Sequence, residues 1–205
     1  MEFRYSYFQD QLENAYCGGY VLAAMINLFE SLPAHTPLGM DIFHEVQEIQ
    51  RATLNGQRKC FIDKMSQYLH AQNIEGTYSL PSSMAIYAYY KGLKPAIYYN
   101  ESKLRKNLLP VIEHIKLEDF NIMGFINEEI SLIQKYKIPV VDEVSNFFIA
   151  NSMALVETSM HWIAIGDIKE KEERKRYYDP WSTNEPVYEY SGINIVLNEK
   201  GKYER

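Results

Sequence analysis

Between Gly18 and Glu30 the chain is apolar on nearly every side of a helical wheel: Tyr20, Val21, Leu22, Ala23, Ala24, Met25, Ile26, Leu28 and Phe29 leave no polar stripe. A helix that is apolar all round belongs inside a protein. The pattern therefore predicts a buried helix, closed by Pro33 and Pro37. Two more helices are predicted, over Asp41 to Thr53 and over Cys60 to Gln72, the second ended by Asn73. Ser82 and Ser83 follow Pro81 and read as a cap for a helix running to Tyr90, with Gly92 just past its end.

The second half turns to short apolar runs. Lys94 to Tyr99 is predicted as a strand ending at Asn100, and Leu117 to Tyr136 as further helix, broken near Gly124. Ile138, Pro139, Val140 and Val141 read as the entry of a buried strand, and Met153 to Glu157 as a weaker one. His161 to Ile168, Arg176 to Trp181, Val187 to Tyr190 and Ile193 to Leu197 complete the set. Helices first and strands later predict an α+β fold. The expected arrangement is a single domain over residues 1–205: a helical lobe over about 1–92, with its first helix buried, packed on an antiparallel sheet over about 93–205.

Composition narrows the function classes. Apolar residues make up 46% of the chain and the net charge is only −6, so disorder is excluded. Seventeen Tyr and nine Phe supply large buried area and suit the wall of a groove for an extended ligand. The acidic balance argues against nucleic acid, whose binding needs a basic stripe; the densest charged stretch, Lys169 to Arg176, mixes its signs and reads as a solvated turn. No run reaches the roughly 18 apolar residues of a membrane span. Met1 to Asp10 lacks the apolar run of a secretory signal, and two cysteines make no disulfide framework. The expected location is cytoplasmic, or secreted without a cleaved signal peptide.

Candidate chemistry concentrates at Gln11-Leu12-Glu13-Asn14-Ala15-Tyr16-Cys17-Gly18-Gly19-Tyr20. Cys17 stands at the start of the buried helix, where unpaired amides and the helix dipole stabilise an anion, which favours a thiolate. Gly18 and Gly19 are poor helix formers, and their lack of side chains would let a substrate backbone approach the sulfur. The plainer alternative is a buried, inert cysteine. Cys60, in an amphipathic stretch, reads as core. Of the five histidines, His35, His44, His70 and His114 have loop or helical, charged surroundings and read as surface or capping residues. His161 instead opens an apolar strand. A hairpin centred on Glu170 sets His161 directly opposite Asp179, on the same face of the pair, where a carboxylate can hold one ring nitrogen while the other faces the thiol. Pro180 cannot donate to a ladder, so pairing should end beside Asp179.

Taken together, these segments resemble the papain-like cysteine peptidase superfamily, and within it the bacterial branch typified by bacteriocin-leader peptidases. The shared features are a Gln six residues before the nucleophilic Cys (Gln11 and Cys17), Gly18 after it, a His opening an apolar strand (His161-Trp162-Ile163-Ala164-Ile165-Gly166) and an Asp-Pro pair one strand later (Asp179-Pro180). The resemblance spans roughly residues 9–182. The chain departs from the branch at Tyr16, at Gly19-Tyr20 and in a longer helical insertion after Glu30. The resemblance implies a papain-like fold, Cys17 as nucleophile, His161 as base, Asp179 as orienter and Gln11 at the oxyanion site, ahead of Gln9, which lacks the spacing. Gly18, Gly19 and Trp181 are expected to contact substrate. It implies thiol hydrolysis of a peptide or amide bond, without metal or cofactor, on a peptide or protein substrate. Glutamine deamidation or acyl transfer on the same fold, a role as a bacterial effector, and a catalytically silent binding domain are the alternatives.

Overall fold

The computed structural model describes residues 14–30, 38–142, 152–156, 160–165, 177–180 and 189–198. Among them are six helices, α1 (Cys17–Glu30), α2 (Leu38–Thr53), α3 (Gly56–Ala71), α4 (Pro81–Tyr90), α5 (Glu101–His114) and α6 (Ile122–Lys135). Six strands, β1 (Lys94–Tyr99), β2 (Val140–Asp142), β3 (Ser152–Val156), β4 (His161–Ile165), β5 (Tyr177–Tyr178) and β6 (Tyr190–Asn198), form a single sheet in the order β2-β1-β6-β3-β4-β5. The fold is α+β.

The apolar pattern of α1 has the expected consequence: Val21, Leu22, Ala23 and Met25 are wholly buried, and the helix packs against α2, α4, β3 and β4. Strand alternation divides the sheet. Met153, Leu155, Trp162, Ala164, Ile193, Ile195 and Leu197 join the helices in one core, while Ala154, Val156, Ile163 and Ile165 form a separate buried cluster.

Several expectations change. The sheet is mixed, not antiparallel: β1 and β2 run parallel, with Ile97 opposite Val140. β2 is an edge strand whose Val141 and Asp142 are exposed, so of the Ile138–Val141 run only Ile138 is buried. The strand expected over Ile193–Leu197 starts earlier, as β6 from Tyr190 with Gly192 inside it at φ 110°, and Val187 and Tyr188 of the strand expected before it lie outside the described residues. A Cβ there would come within 2.6 Å of the Leu104 amide nitrogen, so the strand passes too close to α5 for any side chain. Helix α5 has no counterpart in the pattern reading. Pro110 lies within it, but on the exposed side, while Leu104, Leu108, Val111 and Ile112 are buried. Asn100 starts the helix by accepting from the Lys103 amide at 2.9 Å. Gly124 does not break α6; its amide donates to the capping Asn121 side chain.

Ser82 and Ser83 are not caps either. Helix α4 begins at Pro81, a residue suited to the first helical position, and both serines are buried. The cap comes from another element. The Glu129 carboxylate on α6 accepts from the Ser82 amide at 2.9 Å and from the Ser82 hydroxyl at 2.7 Å, and it pairs with the buried Arg58 guanidinium. Its neighbour Glu128 accepts from the Gln57 and Arg58 amides at the start of α3. Adjacent glutamates on α6 thus place negative charge at two helix N-termini, where the dipole favours it.

Among the described residues no helix is long and apolar enough to cross a membrane.

Candidate active site

Cys17 is the first residue of α1 and is buried, with 7% of its surface exposed. The entry to the helix is fixed on both sides. The Ala15 amide donates to the Glu75 carbonyl at 2.8 Å, and the Tyr16 ring lies 4.5 Å, centroid to centroid, from that of Phe43. The Tyr16 carbonyl accepts from the Gly19 and Tyr20 amides. The Cys17 and Gly18 amides come too early in the helix to find an acceptor within it.

His161 opens β4 and is buried. Its Nε2 lies 2.7 Å from Asp179 Oδ1, with side-chain exposures of 9% and 8%. The Cys17 thiol is a second hydrogen-bond partner of the imidazole. His161 comes from β4, Asp179 from the residue just past the adjacent antiparallel β5, and Cys17 from the helix packed on β4, so the fold brings the three together.

The register differs from the expected one. Ala164 pairs with Tyr178 and Ile165 with Tyr177, so continuing the ladder sets Asp179 opposite Ile163, not His161. The displacement is two residues. An even shift keeps side chains on the same face, and His161 and Asp179 meet as diagonal neighbours. Pairing ends at Tyr178, one residue short of Asp179. The turn between the strands lies outside the described residues.

Burial acts to lower the His161 pKa, but the hydrogen bond that the ring donates to Asp179, the hydrogen bond and charge of Cys17, and the charge of Asp179 outweigh it. The net result is a pKa raised from 6.5 to about 10. At neutral pH the ring is an imidazolium held by the Asp179 carboxylate. The nearby Tyr78 hydroxyl is held neutral: burial first, then the charges of Cys17 and Glu129, push its pKa well up.

Gly18 and Gly19 are buried, and the space a side chain would need is already filled. A Cβ on Gly18 would lie 2.5 Å from Ser79 Cβ, and one on Gly19 would lie 2.5 Å from Phe43 Cβ and 2.6 Å from the Gly39 carbonyl oxygen. Close packing of α1 on α2 and on the chain before α4 accounts for the absence of a side chain at both positions. Gln11 and Trp181 lie outside the described residues. Cys60 is exposed on α3, not core. His44 and His70 are exposed, and the exposed His114 meets the Tyr68 hydroxyl at 2.7 Å.

Residues the sequence reading did not single out support the site from behind. Gln50, wholly buried on α2, donates to the Tyr78 carbonyl at 3.0 Å and accepts from the Leu80 amide at 2.8 Å. The Trp162 indole N–H donates to the Ser79 carbonyl at 3.0 Å. Their signal in the sequence is a pair of glutamines, Gln47 and Gln50, on the same face of α2 as Phe43 and Val46, where a polar residue must be satisfied internally.

No family model matches the chain, and neither the curated proteins nor the solved structures yield a match. The class that can be stated is an α+β chain with a buried Cys-His-Asp constellation at a helix N-terminus and a strand pair.

Proposed function

We propose that this chain is a papain-like thiol hydrolase, a cysteine peptidase-like enzyme that opens a peptide or amide bond through a thioester on Cys17. The observation that carries the reading is the imidazole of His161, held at Nε2 by Asp179 and bonded to the Cys17 thiol at the start of α1. An imidazolium stable at neutral pH favours the thiolate beside it, which is the nucleophilic form. The thiolate attacks the substrate carbonyl. Free amides at the helix start stabilise the oxyanion, each such donor contributing about 3 kcal/mol in comparable sites. His161 then protonates the leaving amine and afterwards activates water to release the acyl group.

The test is site-resolved labelling. A thiol-directed inhibitor of papain-like enzymes should attach to Cys17 well before it attaches to the exposed Cys60, and Cys17→Ala should abolish hydrolysis of peptide substrates. Equal labelling of both cysteines would remove the support for the nucleophile.

A further inference from the structure

Residues 75–80, between α3 and α4, run beside the residues that lead into α1. The Ala15 amide bonds the Glu75 carbonyl, and Ala15 and Gly76 form a parallel bridge. Three residues on, Ser79 abuts Gly18 so closely that no Cβ fits between them. The same Ser79 receives the indole hydrogen bond of Trp162, the residue next to His161. This short segment therefore touches both the helix carrying the thiol and the strand carrying the imidazole.

Gln50 clamps it. Its side-chain amide bridges the Tyr78 carbonyl and the Leu80 amide, one residue either side of Ser79, as a neighbouring strand would. The second Nε2 hydrogen goes to Gln47 Oε1 at 3.2 Å, and Gln47 Nε2 reaches the Ser79 hydroxyl at 3.4 Å. Every polar atom of the Gln50 amide is used. A flipped amide would set donors against the Leu80 N–H and an oxygen against the Tyr78 carbonyl, so only one orientation fits. An amide 0% exposed and fully bonded is a rigid support.

We infer that Gln50 is a positioning residue for the Cys17–His161 pair: through Ser79 it sets the spacing between the start of α1 and the start of β4. The inference rests on the thiolate–imidazolium reading above. Gln50 acts in this role through Ser79. Its removal leaves both side chains in place but loosens the contact between them, as expected where a supporting shell holds reacting groups to within about half an ångström.

The experiment compares the iodoacetamide alkylation rate of Cys17 across pH in the full-length wild type and in Gln50→Met, with Cys60 in each protein as the internal reference. Gln50→Met keeps the volume and removes the clamp. In the wild type, Cys17 should outpace Cys60 at pH 6.5. In Gln50→Met that advantage should fall about tenfold or more, since an unassisted thiol is about 1% ionised there. At pH 10, where ionisation no longer needs a partner, the two proteins should agree, an outcome that blocked access would not produce, while a cooperative thermal melt of Gln50→Met shows that the variant is folded. A second perturbation works from the opposite side. Gly18→Ala should push Ser79 away and lose the same advantage, and Gly18→Ala with Ser79→Gly should regain it. An advantage unchanged in Gln50→Met, or a Gly18→Ala defect that Ser79→Gly does not relieve, overturns the inference alone. A wild-type Cys17 no faster than Cys60 at pH 6.5 overturns the ion-pair reading and the inference with it.

Discussion

His161 shows how a single residue couples the site to stability. Its pKa is raised in the folded chain from 6.5 to about 10, because the Asp179 and Cys17 interactions overcome burial. A group whose folded pKa is raised stabilises the fold most at pH values below its unfolded pKa. That stabilisation is lost progressively as pH climbs from 6.5 through about 10. Thermal stability should therefore decline across this window, and the decline should be shallower in Asp179→Asn, which keeps an acceptor for the ring N–H but removes the charge. Thermal melts at closely spaced pH values measure both slopes. If the two proteins decline in parallel, the carboxylate is not the source of the shift. In peptide hydrolysis, Asp179→Asn should lower the rate without abolishing it, since the orienter makes and breaks no bond.

At the scale of elements, the helices are held by groups from other helices. Glu129 on α6 caps α4 through the Ser82 amide and hydroxyl and pairs with Arg58 on α3. The Arg58 side chain is 1% exposed, so deleting its partner leaves a buried charge with only the neutral acceptors Thr53 and Ser82 among the described residues. Glu129→Ala should cost about 3–5 kcal/mol, within the range for breaking a buried pair from one side. Urea unfolding of Glu129→Ala beside the double variant Arg58→Met/Glu129→Leu tests this. The double variant should recover much of the loss, because replacing both charges with apolar groups removes the unpaired ion. A double variant as unstable as the single one would point to the lost Ser82 cap as the main cost. The same logic explains why the pattern misplaced the start of α4. Pro81-Ser82-Ser83 has the residue types of a local cap, but Ser82 turns inward to a carboxylate 47 residues away.

For the molecule as a whole, burial is deep where α1 meets β3 and β4. Every residue of β3 is at most 1% exposed, whereas β2 at the opposite edge carries exposed Val141 and Asp142. Amide hydrogen exchange should be slowest in α1, β3 and β4 and fast in β2, since opening free energy follows burial and pairing. Exchange in β2 as slow as in β3 would contradict this ordering. Cys17 and His161 are carried by α1 and β4, so the helix and strand that hold them should be among the last to open.

The sequence by itself determined whatever depends on local periodicity and on chemistry carried by neighbouring residues. The all-apolar run after Cys17 specified a buried helix, strand β1 was legible over its full length from Lys94 to Tyr99, and α+β followed from the order of helical and alternating patterns. The Cys17, His161 and Asp179 cluster was also legible, because a two-residue error in strand register leaves side chains on the face where they began. Tertiary structure decided what depends on contacts distant in the chain. That Gly18 and Gly19 can carry no side chain is one such case, since Ser79 and Phe43 fill the space a Cβ would need. Helix α5 went unread, and its interior Pro110 sits on the side that faces solvent, where the carbonyl left without a backbone partner can be hydrated. Gln50 carries no motif at all. Its role exists only because folding brings the segment 78–80 across α2, where a buried amide must find partners and the backbone of that segment supplies them.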